Sequence, residues 1–158
     1  MKILYIQDNG ILAVVNLSED GEDLESLITR VVPENKHYVI VDDSAVFPEA
    51  EFRDAWHVSD EHLTNGVNSN AVIIIDQVKA EQIKRNALPK LSPAEFELRL
   101  LKAGLRQQVL DYVATSEELQ IVFNGATYFS RTDPLLLEAM QALNLSNTQV
   151  DALWVDEV

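Results

Sequence analysis

The chain has 158 residues, of which 47% are hydrophobic, and it carries a formal net charge of −14. Its length fits one domain or two small ones, and its apolar content is sufficient for a core. The charge argues strongly against an ordinary nucleic-acid binder and against docking on anionic lipid, because both need clustered Lys and Arg. The absence of cysteine excludes disulfides, thiolate nucleophiles and Cys-based zinc sites.

The charge is unevenly distributed along the chain. Residues 1–70 contain 14 acidic and 4 basic side chains, a net charge of −10, whereas residues 71–158 contain 12 acidic and 8 basic, a net charge of −4. This asymmetry predicts two halves with different surfaces. The longest apolar run, residues 71–75, is much shorter than the roughly 20 residues that span a bilayer, and no signal peptide is visible. We therefore expect a soluble protein made in the cytoplasm.

The N-terminal half has the pattern of several strands and one helix. Apolar runs flank Asn9-Gly10, a pair that accepts positive φ and predicts a β-hairpin. Residues 24–31 follow helical spacing, with Pro33 after the end of the helix. The remaining N-terminal predictions are an acidic turn (residues 18–25), three strands (residues 38–41, 55–58 and 72–75, the last returning to the first sheet) and a long loop or boundary (residues 65–70).

The C-terminal half is predicted to be mostly helical. Asp76 caps a helix that runs to about Ala87, and Ser92-Pro93-Ala94-Glu95 forms a capping box that starts the next helix. The other predicted elements are helices over residues 105–113, after Asp133-Pro134 and after the capping box at 146–149, and a strand over residues 119–123. The fold class is α+β, with a small β-hairpin or sheet module and one helix in residues 1–75 and a mostly helical module in residues 76–158.

No set of residues has the pattern of a catalytic or metal site. His57 and His62 are five residues apart, which does not place both on one face of a zinc-binding helix, so we expect them in solvent-exposed loops. Asp42-Asp43 could act as a general acid and base only if burial separated their pKa values, and capping of a turn is the preferred interpretation. A small hydrolase that uses these aspartates and a histidine is the weakest alternative. We expect no enzymatic activity, no cofactor and no metal.

Two stretches carry a resemblance to known proteins. The first contains a strand followed by Asp42-Asp43-Ser44, then Phe47-Pro48 and then Phe52-Arg53-Asp54-Ala55-Trp56. The second combines the segment that begins at Leu91-Ser92-Pro93 with Arg131-Thr132-Asp133-Pro134 and with residues 145–154. Together they resemble small proteins encoded in the tail gene clusters of bacteriophages and prophages. The resemblance implies a non-enzymatic role in the tail or in tail fibre assembly, with tail or tail fibre proteins as partners, in the host cytoplasm during assembly or in the virion tail.

The motifs also indicate where a partner could bind. Phe52 and Trp56 are four residues apart and would share one face of a helical turn, with Arg53 pairing with Asp42 or Asp54. The preferred interpretation of the two tryptophans is structural, with Trp56 packed at the end of the first half and Trp154 anchoring the final helix. The alternative is an interface role, because aromatic side chains dominate binding hot spots. The candidate interaction residues are then those of the first motif and of the final helix: Phe52, Arg53, Trp56, Leu153 and Trp154. The alternative function is an acidic inhibitor that mimics the phosphates of DNA and binds a host defence or DNA-binding protein. The oligomeric state stays open.

Overall fold

The computed structural model describes residues 1–17 and 23–155 and confirms the α+β class. The predicted acidic turn lies largely outside the described residues, since residues 18–22 are not among them. The strands are β1 (Lys2–Ile6), β2 (Leu12–Asn16), β3 (Tyr38–Val41), β4 (Trp56–Val58), β5 (Gly66–Val67) and β6 (Ile73–Ile75). The helices are α1 (Leu24–Val31), α2 (Gln77–Ala87), α3 (Pro93–Lys102), α4 (Arg106–Val113), α5 (Glu117–Gly125), α6 (Pro134–Ala142) and α7 (Asn147–Asp151).

The chain forms two compact units, residues 1–83 and residues 84–158, and the division falls within α2. Unit 1 is built on a four-stranded sheet with the order β2-β1-β3-β5. Strand β1 is antiparallel to both β2 and β3, whereas β5 is parallel to β3. The predicted hairpin between β1 and β2 is confirmed. Gly10 adopts a φ of +75°, and the Asn9 side-chain oxygen accepts the Ile11 N–H at 3.0 Å, which closes the turn locally.

Both faces of this sheet bury apolar side chains, because successive residues of a strand point to opposite faces. Ile3 and Ile40 pack with Val32, the residue that follows α1. On the other face, a second cluster contains buried residues of the sheet and of β4 and β6: Leu4, Leu12, Val39, Val41, Trp56, Val58 and Ile73. Trp56, the last residue of the Phe-Arg-Asp-Ala-Trp string, therefore contributes to the core of unit 1.

Unit 1 departs from the sequence-based expectations in two strands. Strand β6 does not return to the first sheet, because it pairs antiparallel with β4 in a separate two-stranded sheet. The segment predicted as a long loop or boundary contains β5, which pairs with β3. Asn65 adopts a φ of +56°, and its side-chain oxygen accepts the Tyr38 N–H at 3.0 Å. This long-range bond ties the polar segment to the start of β3.

Unit 2 has short helices whose ends are specified locally. The two predicted capping boxes are confirmed: Ser92 and Glu95 bond reciprocally at the start of α3, as do Ser146 and Gln149 at the start of α7. Asp133 caps α6, and its carboxylate accepts the Leu135 N–H at 2.9 Å. The helices enclose one cluster of buried residues: Leu91, Phe96, Leu100, Val109, Met140, Val150, Leu153 and Trp154.

Residues 119–123 form part of helix α5, so the strand predicted there is wrong. The alternation of apolar residues is also compatible with helical spacing, since Leu119, Val122 and Phe123 are three and four residues apart. Ser116 acts as N-cap and accepts the Leu119 N–H, which favours the helix. No residue of α5 is fully buried, and this makes the helix unusual in the unit.

Candidate interaction groove

The Phe-Arg-Asp-Ala-Trp string is not arranged as one helical face. It belongs to a 3-10 turn, Ala50–Ala55, in which Phe52 has non-helical φ and ψ of −100° and 23°, and Trp56 is the first residue of β4. Trp56 is buried, with its ring centroid 5.2 Å from that of Phe47, and its indole N–H donates to the Glu49 carbonyl at 3.3 Å. Phe52 is half-buried and Arg53 is exposed. The predicted common face of Phe52 and Trp56 therefore does not exist.

The two candidate residues near the end of α7 are core residues of unit 2. Leu153 and Trp154 are 4% and 3% exposed, respectively. The Trp154 ring lies 5.8 Å from that of Phe96, and its indole N–H donates to the Pro89 carbonyl at 2.9 Å. A buried indole with a satisfied donor stabilises the unit but offers little surface to a partner.

The aspartates of the first motif are engaged in structural contacts. Asp42 accepts the Ser44 N–H at 2.9 Å, and this hydrogen bond lowers the pKa of Asp42 from its usual value of 3.8. Asp43 binds the Met1 amino group at 2.7 Å and Lys2 at 2.9 Å, and these hydrogen bonds lower its pKa too. A general acid near neutral pH needs a raised pKa, which neither carboxyl has.

The predicted pairing of Arg53 with Asp42 or Asp54 is wrong, because no ion pair within residues 1–17 and 23–155 involves Arg53. The two histidines considered as ligands are in separate local elements. His57 lies in β4, and His62 ends a short 3-10 turn, with its Nε2 atom 3.9 Å from Glu61. Within the described part of the chain, no three His, Asp or Glu side chains are placed to hold a metal ion.

Two residues of the second motif, Arg131 and Asp151, belong to a buried charge cluster. Arg131 is 1% exposed, and its Nε donates to Asp151 at 2.5 Å. Its other nitrogens contact Asn147 Oδ1 at 2.7 Å and the sulfur of Met140 at 3.5 Å. Arg85 also donates to the Asp151 carboxylate, at 3.1 Å. The Arg-Thr-Asp-Pro string and the final helix are thus joined by two arginines that share one aspartate.

Unit 2 contains an apolar groove of about 100 Å³ that is partly open to solvent. Only three of its twenty lining residues carry a polar side-chain group, namely Tyr112, Tyr128 and Asp133. The Asp133 carboxylate is already occupied as the cap of α6. The apolar lining comes from α3 to α7 and the adjoining loops: Phe96, Leu100, Val109, Val113, Leu119, Val122, Phe123, Ala126, Phe129, Leu135, Leu136, Ala139, Met140, Leu143, Leu145, Val150 and Leu153.

The groove has an apolar rim that remains accessible. Val122, Tyr128 and Leu135 line the groove and are 43%, 48% and 36% exposed. Two neighbouring apolar residues, Ile121 and Leu137, are 66% and 39% exposed but do not line it. Single exposed apolar side chains are ordinary, but several around an apolar opening are typical of an interaction site.

The segment that supplies most of the groove lining is predominantly acidic. Between Gln107 and Asn147 the sequence contains five acidic residues and one basic residue, Arg131, whose guanidinium is buried. Glu118 lies four residues before Val122, and Glu138 lies three residues after Leu135, so each projects beside a rim residue. Within the described residues, the one cation found beside the rim is Lys90, whose ammonium lies 3.9 Å from the ring centroid of the rim residue Tyr128.

Sequence reasoning did not identify this groove. The available signal was Leu135-Leu136-Leu137, since three consecutive residues of a helix cannot all face the same core. A second signal was the concentration of apolar residues in 119–143 with a single basic residue.

Comparisons with protein-family models, with curated proteins and with solved structures gave no significant match. Of the helices in residues 1–17 and 23–155, none combines the length and apolarity needed to cross a membrane.

Proposed function

We propose that this chain acts by binding other proteins during bacteriophage tail biogenesis, as a minor tail component or as an accessory of tail fibre assembly. The observation that carries the proposal is the apolar groove of unit 2 with its exposed rim. The phage context comes from the two motifs, and the mode of action comes from the groove.

The size and chemistry of the groove favour protein binding over catalysis. Pockets that enclose a small organic ligand typically span about 300–1,000 Å³, whereas this groove has about 100 Å³. That volume suits a few side chains inserted from outside. Asp133 is the one charged residue in the lining, and its carboxylate caps a helix, so no acid–base pair is present there.

The motifs support the proposal indirectly, through folding. The second motif supplies Arg131 and Asp151, whose ion pair holds α7 against the rest of unit 2, and α7 supplies Val150 to the groove lining. The first motif places Trp56 in the core of unit 1. A protein that shares these motifs would therefore share the folded units, and with them the surface between α4, α5 and α6.

A deletion strain and a co-purification experiment test the proposal together. We expect the tagged chain to retain at least one tail or tail fibre protein from lysates of the producing phage or prophage. Deletion of the gene should reduce the yield of particles with complete tails, and the gene supplied in trans should restore it. Normal particles from the deletion strain, together with no retained tail protein, would contradict the proposal.

The alternative of a DNA-mimicking inhibitor receives less support from the arrangement of the acidic residues. A mimic needs a row of free carboxylates, and four of the acidic residues of unit 1 are engaged locally: Asp23 and Asp76 cap helices, Asp42 closes a turn and Asp43 binds Lys2. Competition between the chain and duplex DNA for a host DNA-binding defence protein, measured at low salt, separates the two functions. Displacement of DNA would favour the inhibitor.

A further inference from the structure

We propose that the apolar groove binds an amphipathic helix of a partner protein whose apolar side chains are flanked by Lys and Arg. The inference rests on the proposed function, and it specifies the chemistry of the partner. It comes from the exposed apolar rim of the groove and from the acidic side chains that flank that rim.

The spacing of the lining residues favours a helical ligand. Ten of the twenty lining residues belong to α4, α5 and α6, and on α5 they are spaced three and four positions apart, as in Leu119, Val122 and Phe123. A groove between helices accepts side chains that a helical ligand presents at similar spacing. In the described part of unit 2 the one β-bridge joins Leu91 and Phe129, whose backbone groups bond to each other, so no free strand edge is offered there.

The charges select a basic partner over a second copy of this chain. Glu118 and Glu138 flank the rim residues Val122 and Leu135, and they attract Lys or Arg beside the apolar face of a ligand. Lys90, beside Tyr128, disfavours a cation at that one position. A second copy would bring another acidic rim and another net charge of −14 against the first, which opposes self-association.

Two pairs of substitutions distinguish the contribution of groove residues to binding from that of neighbouring surface residues. Leu135 and Leu137 are the same residue type on the same helix with nearly equal exposure, but only Leu135 lines the groove. Glu117 and Glu118 are both exposed in the first turn of α5, and Glu118 lies on the groove side. Leu137→Gln and Glu117→Gln are therefore matched controls for Leu135→Gln and Glu118→Gln, with similar effects on folding expected in each pair.

The probe is a yeast-displayed library of short amphipathic helices in which each charged position is randomised among Lys, Gln and Glu, and it is panned against the intact chain. We expect enrichment of Lys beside the apolar positions. Leu135→Gln should weaken binding of the enriched helices by about tenfold, because an apolar contact is lost. Glu118→Gln should weaken it by about threefold at low salt. Both controls should stay within about twofold of the unsubstituted chain.

The contrary outcomes are distinct. No enrichment, enrichment of Glu, or equal binding by the Leu135→Gln and Leu137→Gln variants would overturn the inference. A dimer in sedimentation that Leu135→Gln abolishes would assign the groove to a second copy, and displacement of the helices by lauric acid at micromolar concentration would assign it to a small apolar ligand. If Leu135→Gln retains a tail protein as well as the unsubstituted chain does, the proposed function stands and the groove inference fails. If basic helices bind but deletion of the gene leaves the tails normal, the groove inference stands and the proposed function fails.

Discussion

The buried charge cluster of unit 2 predicts an asymmetry between two substitutions that break the same ion pair. Asp151→Ala leaves the Arg131 guanidinium, which is 1% exposed, with Asn147 and the Met140 sulfur as its hydrogen-bond partners among the described residues. Loss of one partner from a buried pair costs about 3–5 kcal/mol, because the remaining charge stays desolvated. A unit of this size has a free energy of unfolding of roughly 4–11 kcal/mol, so this single substitution would remove a large fraction of it.

The opposite substitution, Arg131→Met, should be milder. The Asp151 side chain is 27% exposed and keeps its hydrogen bonds to Arg85, so its charge is not stranded. We expect a loss of about 1.5–3 kcal/mol, the range for hydrogen bonds that involve a charged group. The double variant Arg131→Met with Asp151→Ala should be more stable than Asp151→Ala alone by at least about 1 kcal/mol, because it contains no unpaired buried cation.

The assay is equilibrium unfolding in urea of the full chain, followed by the fluorine NMR signal of 5-fluorotryptophan at Trp154. This residue belongs to the core cluster of unit 2 and reports its unfolding directly. A Trp56→Phe background leaves a single indole signal. Equal losses for Arg131→Met and Asp151→Ala, or a double variant no more stable than Asp151→Ala, would refute the argument that the stranded guanidinium causes the cost.

Two further predictions concern local structure. Gly104→Ala should destabilise the chain by about 1–2 kcal/mol, because Gly104 has a φ of +71°. Gly125→Ala should stabilise it by about 0.5–1 kcal/mol, because this glycine is helical and a new Cβ meets nothing within 4 Å. Urea unfolding of both variants should therefore give changes of opposite sign in the free energy of unfolding. Hydrogen bonds from the Ser92 hydroxyl and backbone lower the pKa of Glu95 below its usual 4.5, so its stabilising contribution is complete above pH 4.5 and is lost as the pH falls through the lowered pKa. Glu95→Gln, which can keep the capping box, should therefore lose less stability than the unsubstituted chain on acidification below pH 4.5, and equal acid sensitivity in thermal melts would contradict this cause.

The most predictable elements are those specified by residues close together in sequence. The capping boxes at Ser92 and Ser146 place donor and acceptor three positions apart, and the Asn9-Gly10 turn is closed by a bond between Asn9 and Ile11. The sequence of helix α5 also fits a strand, because its apolar residues satisfy both periods over five positions. The cap at Ser116 was the local signal that distinguishes them.

Contacts between distant residues could not be predicted in the same way. The sequence motifs contain Arg131 and Asp151, but nothing local indicates that they pair across twenty positions, or that Arg85 joins them. For the same reason the sequence leaves Trp154 open between the core and a partner contact, and only the bond of its indole to Pro89, sixty-five positions away, assigns it to the core. The presence of an aromatic residue in the sequence does not distinguish a core position from an interface position, because both favour large apolar side chains.

The sequence alone determined the α+β class, the ends of most helices and the acidity that disfavours nucleic acid as a ligand, because these depend on composition and on hydrogen bonds between residues up to about four positions apart. The tertiary structure decided which apolar side chains are core and which are surface. Leu135 and Leu137 have almost the same local sequence environment, but in the folded unit only Leu135 lines the groove. Burial is a property of the assembled unit, and so the candidate site became visible only in the folded chain.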